Sequence, residues 1–207
     1  MRIFICDIRG LLDLSGVELL EQERRQRLFR YRRPEDRARC LAAGLMLRSV
    51  LGKDAAASIS ASGFGKPFLP GGPCFNLSHS GHKVVLLIDE QAVGVDAEYI
   101  APYPAEVAGR VFTAAEQRWL RQQGTDEAFF RLWTGKEAIM KALGLGFQLP
   151  PESFEIAPDA CSPQSVCGRR WHLHWLEADG HMICTASERP CRPAGPILLT
   201  PEDLLKG

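Results

Sequence analysis

The 207-residue sequence has no C-x-x-C pair, no long apolar run, no surplus of either charge and no residue-level internal repeat. Each absence removes a class of protein. Seven cysteines without regular spacing match neither a disulfide framework nor a zinc-ligand set. Cys6, Cys40, Cys74 and Cys184 stand among apolar neighbours and read as small core residues. The N-terminal apolar run is interrupted by Asp7 and Arg9, and no stretch approaches the roughly 18 uninterrupted apolar residues of a membrane span. A soluble, cytoplasmic protein without membrane association is expected. Lys plus Arg and Asp plus Glu number 25 each, so no global field favours nucleic acid, and anion binding must arise from local clustering. One cluster exists: Arg24, Arg25, Arg27, Arg30, Arg32, Arg33, Arg37 and Arg39 fall between Glu21 and Arg39. A solvated helix face is its plainest reading. Hydrophobic content of 45% suffices for a core without staples.

The pattern of elements predicts an α+β protein. Arg2 to Ile8 alternates as a strand, Ser15 to Arg33 reads as a charged helix broken by Pro34, and a second helix runs from Pro34 to a glycine stop at Gly52. Gly63 to Pro73 is loop, and Phe75–Ser78, Val84–Asp89 and Val93–Glu98 are expected to form a small antiparallel sheet. Helices around Thr113–Gln122 and Glu127–Leu143 then precede a hairpin from Trp171 to Ala186, turning at Asp179-Gly180. The repeated order suggests two pseudo-symmetric lobes, 1–98 and 99–207, each a helix on a small, mainly antiparallel sheet. The active site is expected in the crevice between them, with a C-terminal tail from Pro190 wrapping the surface.

Chemistry concentrates in three segments. Trp133-Thr134-Gly135-Lys136-Glu137-Ala138-Ile139-Met140-Lys141-Ala142 is helical by composition and puts Glu137 and Lys141 four residues apart on one face. Gly94-Val95-Asp96-Ala97-Glu98 reads as a strand on which Asp96 and Glu98 share a face. Asp96, Glu98 and Glu137 suit Mg²⁺, which takes a few carboxylates and substrate phosphates as oxygen ligands. Lys136 and Lys141 suit developing charge on a phosphate. A solvent-facing strand edge and a surface Glu–Lys pair are the alternatives. Phe75-Asn76-Leu77-Ser78-His79-Ser80 supplies hydroxyls, an imidazole and turn amides suited to an anion. Ser78 and His79 point to opposite faces of a strand, which argues against a nucleophile–base dyad.

Gly65-Lys66-Pro67-Phe68-Leu69-Pro70 and the three segments above resemble, in order and approximate spacing, the 4′-phosphopantetheinyl transferases of the Sfp type. The likeness runs from the arginine-rich helix near Arg24 to the hairpin near Ala186. It implies transfer of the phosphopantetheine arm of coenzyme A to a serine of an acyl or peptidyl carrier protein, releasing adenosine 3′,5′-bisphosphate. It implies Mg²⁺ on Asp96, Glu98 and Glu137, phosphate contacts from Lys141 and His79, and catalytic roles for Glu137, Lys141 and His79. Arg24, Arg27, Arg39, Lys66, Pro67, Ser78 and Lys136 are implied around the coenzyme A, with the arginines near its 3′-phosphate. Glu116 resembles a further acid supporting the metal. A monomer is expected because both lobes of the site lie in one chain, and an acidic carrier helix is expected to dock where Val111, Phe112, Trp119 and Leu120 give apolar area and Arg110, Arg118 and Arg121 give charge, unless those apolar residues only close a core. The same acids would serve a Mg²⁺-dependent hydrolase of nucleotide pyrophosphates, or a non-catalytic coenzyme A or carrier-binding module.

Overall fold

The chain runs twice through strand, long helix and hairpin, and the alternation of its strands stacks the two rounds as layers. A computed structural model describes residues 1–160, 162–190 and 194–206. The first round holds β1 (Arg2–Asp7), α1 (Gln22–Arg30), α2 (Pro34–Leu51), α3 (Lys53–Ala57), the short β2 (Ser60–Ala61) and β3 (Pro67–Phe68), β4 (Cys74–Ser80) and β5 (Lys83–Asp89). The second holds β6 (Val93–Tyr99), α4 (Ala105–Val111), α5 (Ala114–Gln123), α6 (Asp126–Leu143), β7 (Gln164–Val166), β8 (Arg169–Ala178) and β9 (His181–Ser187), followed by β10 (Ile197–Leu199) and α7 (Pro201–Lys206). Two four-stranded sheets result, ordered β10-β1-β5-β4 and β6-β9-β8-β7. Every pairing in them is antiparallel except β1 with β10. The core order β1-β5-β4 is repeated as β6-β9-β8, the pseudo-symmetric α+β arrangement expected.

Strand alternation assigns each face. Phe4 and Cys6 of β1, with Val84, Leu86 and Ile88 of β5, pack on Leu41, Leu45 and Met46 of α2. The intervening Ile3, Ile5, Val85 and Leu87 meet Val93, Val95, Ala97 and Ile183 of the second sheet. On the far side of that sheet, Cys184 and Ala186 of β9 pack under Ala138, Ile139 and Ala142 of α6. The layers are therefore α2, sheet, sheet, α6. Because β5 is covered on both faces, its apolar run is continuous.

Four local expectations differ from what is found. Val93–Tyr99 does not join β4 and β5 but pairs with β9 in the second sheet, because Val95 and Ala97 fill the inter-sheet core only from there. The division at residue 98 therefore cuts through a strand of the second sheet. Ser15–Arg33 is not one helix: Gly16 is left-handed at φ 88° and the helix begins at Gln22. The tail does more than wrap, since β10 extends the first sheet beside β1 and α7 buries Leu204 fully; Cys191, Arg192, Pro193 and Gly207 lie outside the described residues. The β8–β9 turn is as expected, with Asp179 and Gly180 at φ 50° and 73° in the pair of left-handed conformations that two-residue hairpins favour. Among the described residues, no helix is long and apolar enough to cross a membrane.

As an edge strand, β6 has outward amides with no strand partner. Side chains of β4 take them instead: the Val95 N–H donates to Asn76 Oδ1 at 2.8 Å, Ala97 to Ser78 Oγ at 3.1 Å and Tyr99 to Ser80 Oγ at 3.1 Å. The period of two on both strands keeps donor and acceptor in step. Asn76→Ala should orphan a buried amide and lower stability by about 1–3 kcal/mol in urea denaturation; an unchanged midpoint would remove this seam from the account.

Candidate active site

Helix α6 lies directly on β6, and Gly94 permits it. A Cβ at Gly94 would strike the carbonyl oxygen of Ala138 and the backbone nitrogen of Ala142. With Val95 and Ala97 turned to the other sheet, alternation turns Asp96 and Glu98 toward the helix. Glu137 and Lys141, one turn apart on α6, meet them there. Helix start and stop are local: the Thr125 hydroxyl accepts the Ala128 N–H, and Gly144 ends the helix at φ 73°.

Asp96 is 3% exposed. Its Oδ1 accepts from Ser78 Oγ at 2.8 Å and from Lys141 Nζ at 2.6 Å, and Lys141 also donates to Ser78 Oγ at 2.9 Å. Asp96 Oδ2 and Glu137 Oε1 are buried without a hydrogen-bond partner. Burial first, then the charge of Asp96, raises the Glu137 carboxyl to about 7, against the pull of Lys141. Glu98 is raised for the same two leading reasons, although Ser80 and Trp133 bond its side chain. Neighbouring carboxylates with unpartnered buried oxygens make a donor set that fits a hard divalent ion. Among the described residues, only Asp7, His82 and Asp179 bring one ligand atom each within 4.8 Å of one another; the three cleft acids stand farther apart. That other trio is already neutralised, with Lys83 at 2.9 Å from Asp7 and 3.1 Å from Asp179 and Arg9 bonded to both.

A cleft of about 950 Å³ opens from these acids toward α1 and α2, roomy enough for a nucleotide-sized ligand. Arg24, Arg27 and Arg39 line its first-lobe wall, and Pro67, Ser78 and His79 also line it. Arg24 and Arg27 form no ion pair among the described residues, and burial followed by the charge of Arg27 lowers the Arg24 pKa. Arg39 is held by Asp36 and by the carbonyl of Gly81. Burial, then Arg39, lowers the His79 pKa, so its imidazole is neutral at pH 7 and offers one N–H rather than a charge. Ser78 is committed to Asp96, Lys141 and the Ala97 amide.

Three residues expected at the site are elsewhere. Lys136 is fully buried on another face of α6, ion-paired with Glu116 Oε1 at 2.7 Å and bonded to the carbonyls of Pro151 and Phe154. One residue along a helix rotates a side chain by about 100°, which separates Lys136 from Glu137. Glu116 is likewise no metal support: its carboxylate accepts from the Thr113 amide in a capping box and, with its other oxygen, from the Ile156 amide. Lys66 donates to the carbonyls of Val93 and Ala142, clipping the β2–β3 loop to the end of α6. The expected docking residues Phe112 and Leu120 are 2% and 3% exposed, and Val111 and Trp119 pack against the same core, so they close the second lobe. The sequence reading gave no role to Gly94 in the approach of α6 or to Asn76 and Ser80 in holding β6, and Trp133, besides packing on the second-lobe core, lines the cleft and bonds Glu98. A glycine beside D-x-E and polar residues at period two were the available signals.

The profile described as the 4′-phosphopantetheinyl transferase superfamily matches residues 92–191, which hold β6, α6 and the β8–β9 hairpin. The 4′-phosphopantetheinyl transferase ffp of Bacillus subtilis is 31% identical over 204 residues, covering 91% of each chain. This chain belongs to that superfamily. Other 4′-phosphopantetheinyl transferases are alike at similar range: Sfp of Bacillus subtilis is 29% identical over 91% of each chain, and HetI of Nostoc sp. 30% identical over 86% of this chain and 81% of its own.

For this superfamily member the acids set a pH dependence without metal. A native carboxyl raised from 4.5 to about 7 holds its proton more tightly than the unfolded chain, so stability falls as pH rises through that window. Glu137→Gln should flatten the fall in melting temperature between pH 5 and 8 measured in chelator. An identical slope in both proteins would contradict the assigned environment of Glu137.

Proposed function

We propose that this chain transfers the 4′-phosphopantetheine arm of coenzyme A to a serine hydroxyl of an acyl or peptidyl carrier protein, releasing adenosine 3′,5′-bisphosphate. The observation that carries the reading is that Asp96, ion-paired with Lys141 at 2.6 Å, lines one arginine-walled cleft together with Glu98 and Glu137. The curated relatives named as transferases over most of the chain support it.

Asp96, Glu98 and Glu137 are assigned to hold Mg²⁺, which when bound would neutralise diphosphate oxygens. Arg24, Arg27 and Arg39 are assigned to the nucleotide end, where the two unpaired guanidiniums suit the 3′-phosphate. Pro67 and Ser78 border the ligand, and the neutral His79 donates an N–H to a phosphate oxygen. Glu137, on the α6 face that meets Asp96 and Lys141, accepts the serine proton directly or through a water as the hydroxyl attacks the β-phosphorus. Lys141 offsets charge on the departing bisphosphate. The roles are positioning and electrostatics; no covalent enzyme intermediate is invoked. The first lobe takes the nucleotide and the second presents the α6 chemistry to an acidic carrier. A cytoplasmic monomer, with both lobes of the site in one chain, is part of the same reading.

Mass spectrometry of apo-carrier proteins incubated with coenzyme A and Mg²⁺ should show the added arm. Glu137→Ala should slow that gain at least about 10²-fold while the circular dichroism spectrum is kept. Full transfer by this variant would remove Glu137 from the reaction. Release of bisphosphate from coenzyme A without any carrier would instead indicate a hydrolase, and binding without turnover a non-catalytic module.

A further inference from the structure

The three cleft acids stand apart in a particular way. Lys141 lies on Asp96 Oδ1 at 2.6 Å, with Ser78 Oγ as its second partner at 2.9 Å. Ser78 is saturated, donating to Asp96 and accepting from Lys141 and the Ala97 amide. It therefore holds the ammonium on the carboxylate. The other oxygen, Asp96 Oδ2, is buried and unpartnered, as is Glu137 Oε1. One positive charge thus sits on Asp96, beside the unpartnered oxygens that a cation would take. A divalent ion arriving alone meets an ammonium on its own ligand and must displace it or bear the repulsion of a like charge in a partly buried site.

We propose that Lys141 is a resident counter-ion that blocks metal binding to the empty cleft, and that a diphosphate, by giving its ammonium a new anionic partner, frees Asp96, so that metal and diphosphate bind as a coupled pair. The inference rests on the reading of Asp96, Glu98 and Glu137 as metal ligands. It adds an order to that reading: coenzyme A raises metal affinity, and by linkage metal raises coenzyme A affinity by the same factor. It also separates two properties of Lys141, since losing the ammonium should help the metal while harming the diphosphate.

Mn²⁺ binding followed by the electron paramagnetic resonance of the free ion reads this without turnover. Wild type, Lys141→Met and Lys141→Gln are titrated alone, with coenzyme A, and with adenosine 3′,5′-bisphosphate, which has no diphosphate, after subtracting Mn²⁺ held by each nucleotide in buffer. Alone, both variants should bind Mn²⁺ about tenfold more tightly than wild type. Coenzyme A should tighten wild type by a similar factor, the bisphosphate should not, and the enhancement should shrink toward one in the variants. Variant affinity no higher than wild type overturns the proposal, as does equal enhancement of wild type by both nucleotides. If only Lys141→Gln behaves as wild type, a hydrogen bond rather than a charge guards Asp96, and the proposal again falls. No Mn²⁺ binding by wild type even with coenzyme A would instead sink the metal assignment beneath it. Unchanged circular dichroism of at least one variant secures the comparison.

Discussion

Three hydrogen bonds from the amides of Val95, Ala97 and Tyr99 to the side chains of Asn76, Ser78 and Ser80 join the two sheets along one edge. They do by side chain what a strand ladder does by backbone, and so leave β4 and β6 in different sheets. An apolar β4 face would have left buried edge amides unpaired, a cost a folded chain rarely bears. Once that seam is fixed, the direction of Asp96 and Glu98 follows from alternation alone. Ser78 serves twice, as acceptor for the Ala97 amide and as donor to Asp96, so seam and site share an atom.

The second constraint is the closeness of α6 to β6, which Gly94 makes possible. Two faces of this helix carry opposite solutions to buried charge. On one, Lys136 and Glu116 are paired and their remaining hydrogen-bonding capacity is met by backbone carbonyls and amides. That arrangement fixes the helix rotation and has no capacity left for a ligand. On the other, Asp96 and Glu137 keep buried oxygens without partners. Unmet polar capacity inside an otherwise satisfied fold is where a ligand gains most by binding.

Much of this was legible in the sequence. Glu137 and Lys141 were joined by helical spacing, Asp96 and Glu98 by strand spacing, and the Asp179-Gly180 turn by its residue types. What failed was partner choice. An alternating segment such as Val93–Tyr99 carries its period but not the identity of its neighbour, and only the match of Val95 and Ala97 to Ile183 in the inter-sheet core decides that. Lys136 was misread for a related reason. Adjacency to Glu137 in the sequence made it read as a phosphate ligand, while helical rotation pointed it into the protein toward a glutamate 20 positions earlier. Lys66 stands in a loop whose sequence fixes no direction, so its capping of the Val93 and Ala142 carbonyls became visible only in three dimensions.

Amide hydrogen exchange of the metal-free protein tests the seam most directly. If β6 is held to β4 by side chains, the Val95 and Ala97 amides exchange slowly and together, near the rate of the paired amides of β5, because only separation of the sheets exposes them. Fast, independent exchange of those two amides, as from an open edge strand, would contradict the arrangement on which the site is built.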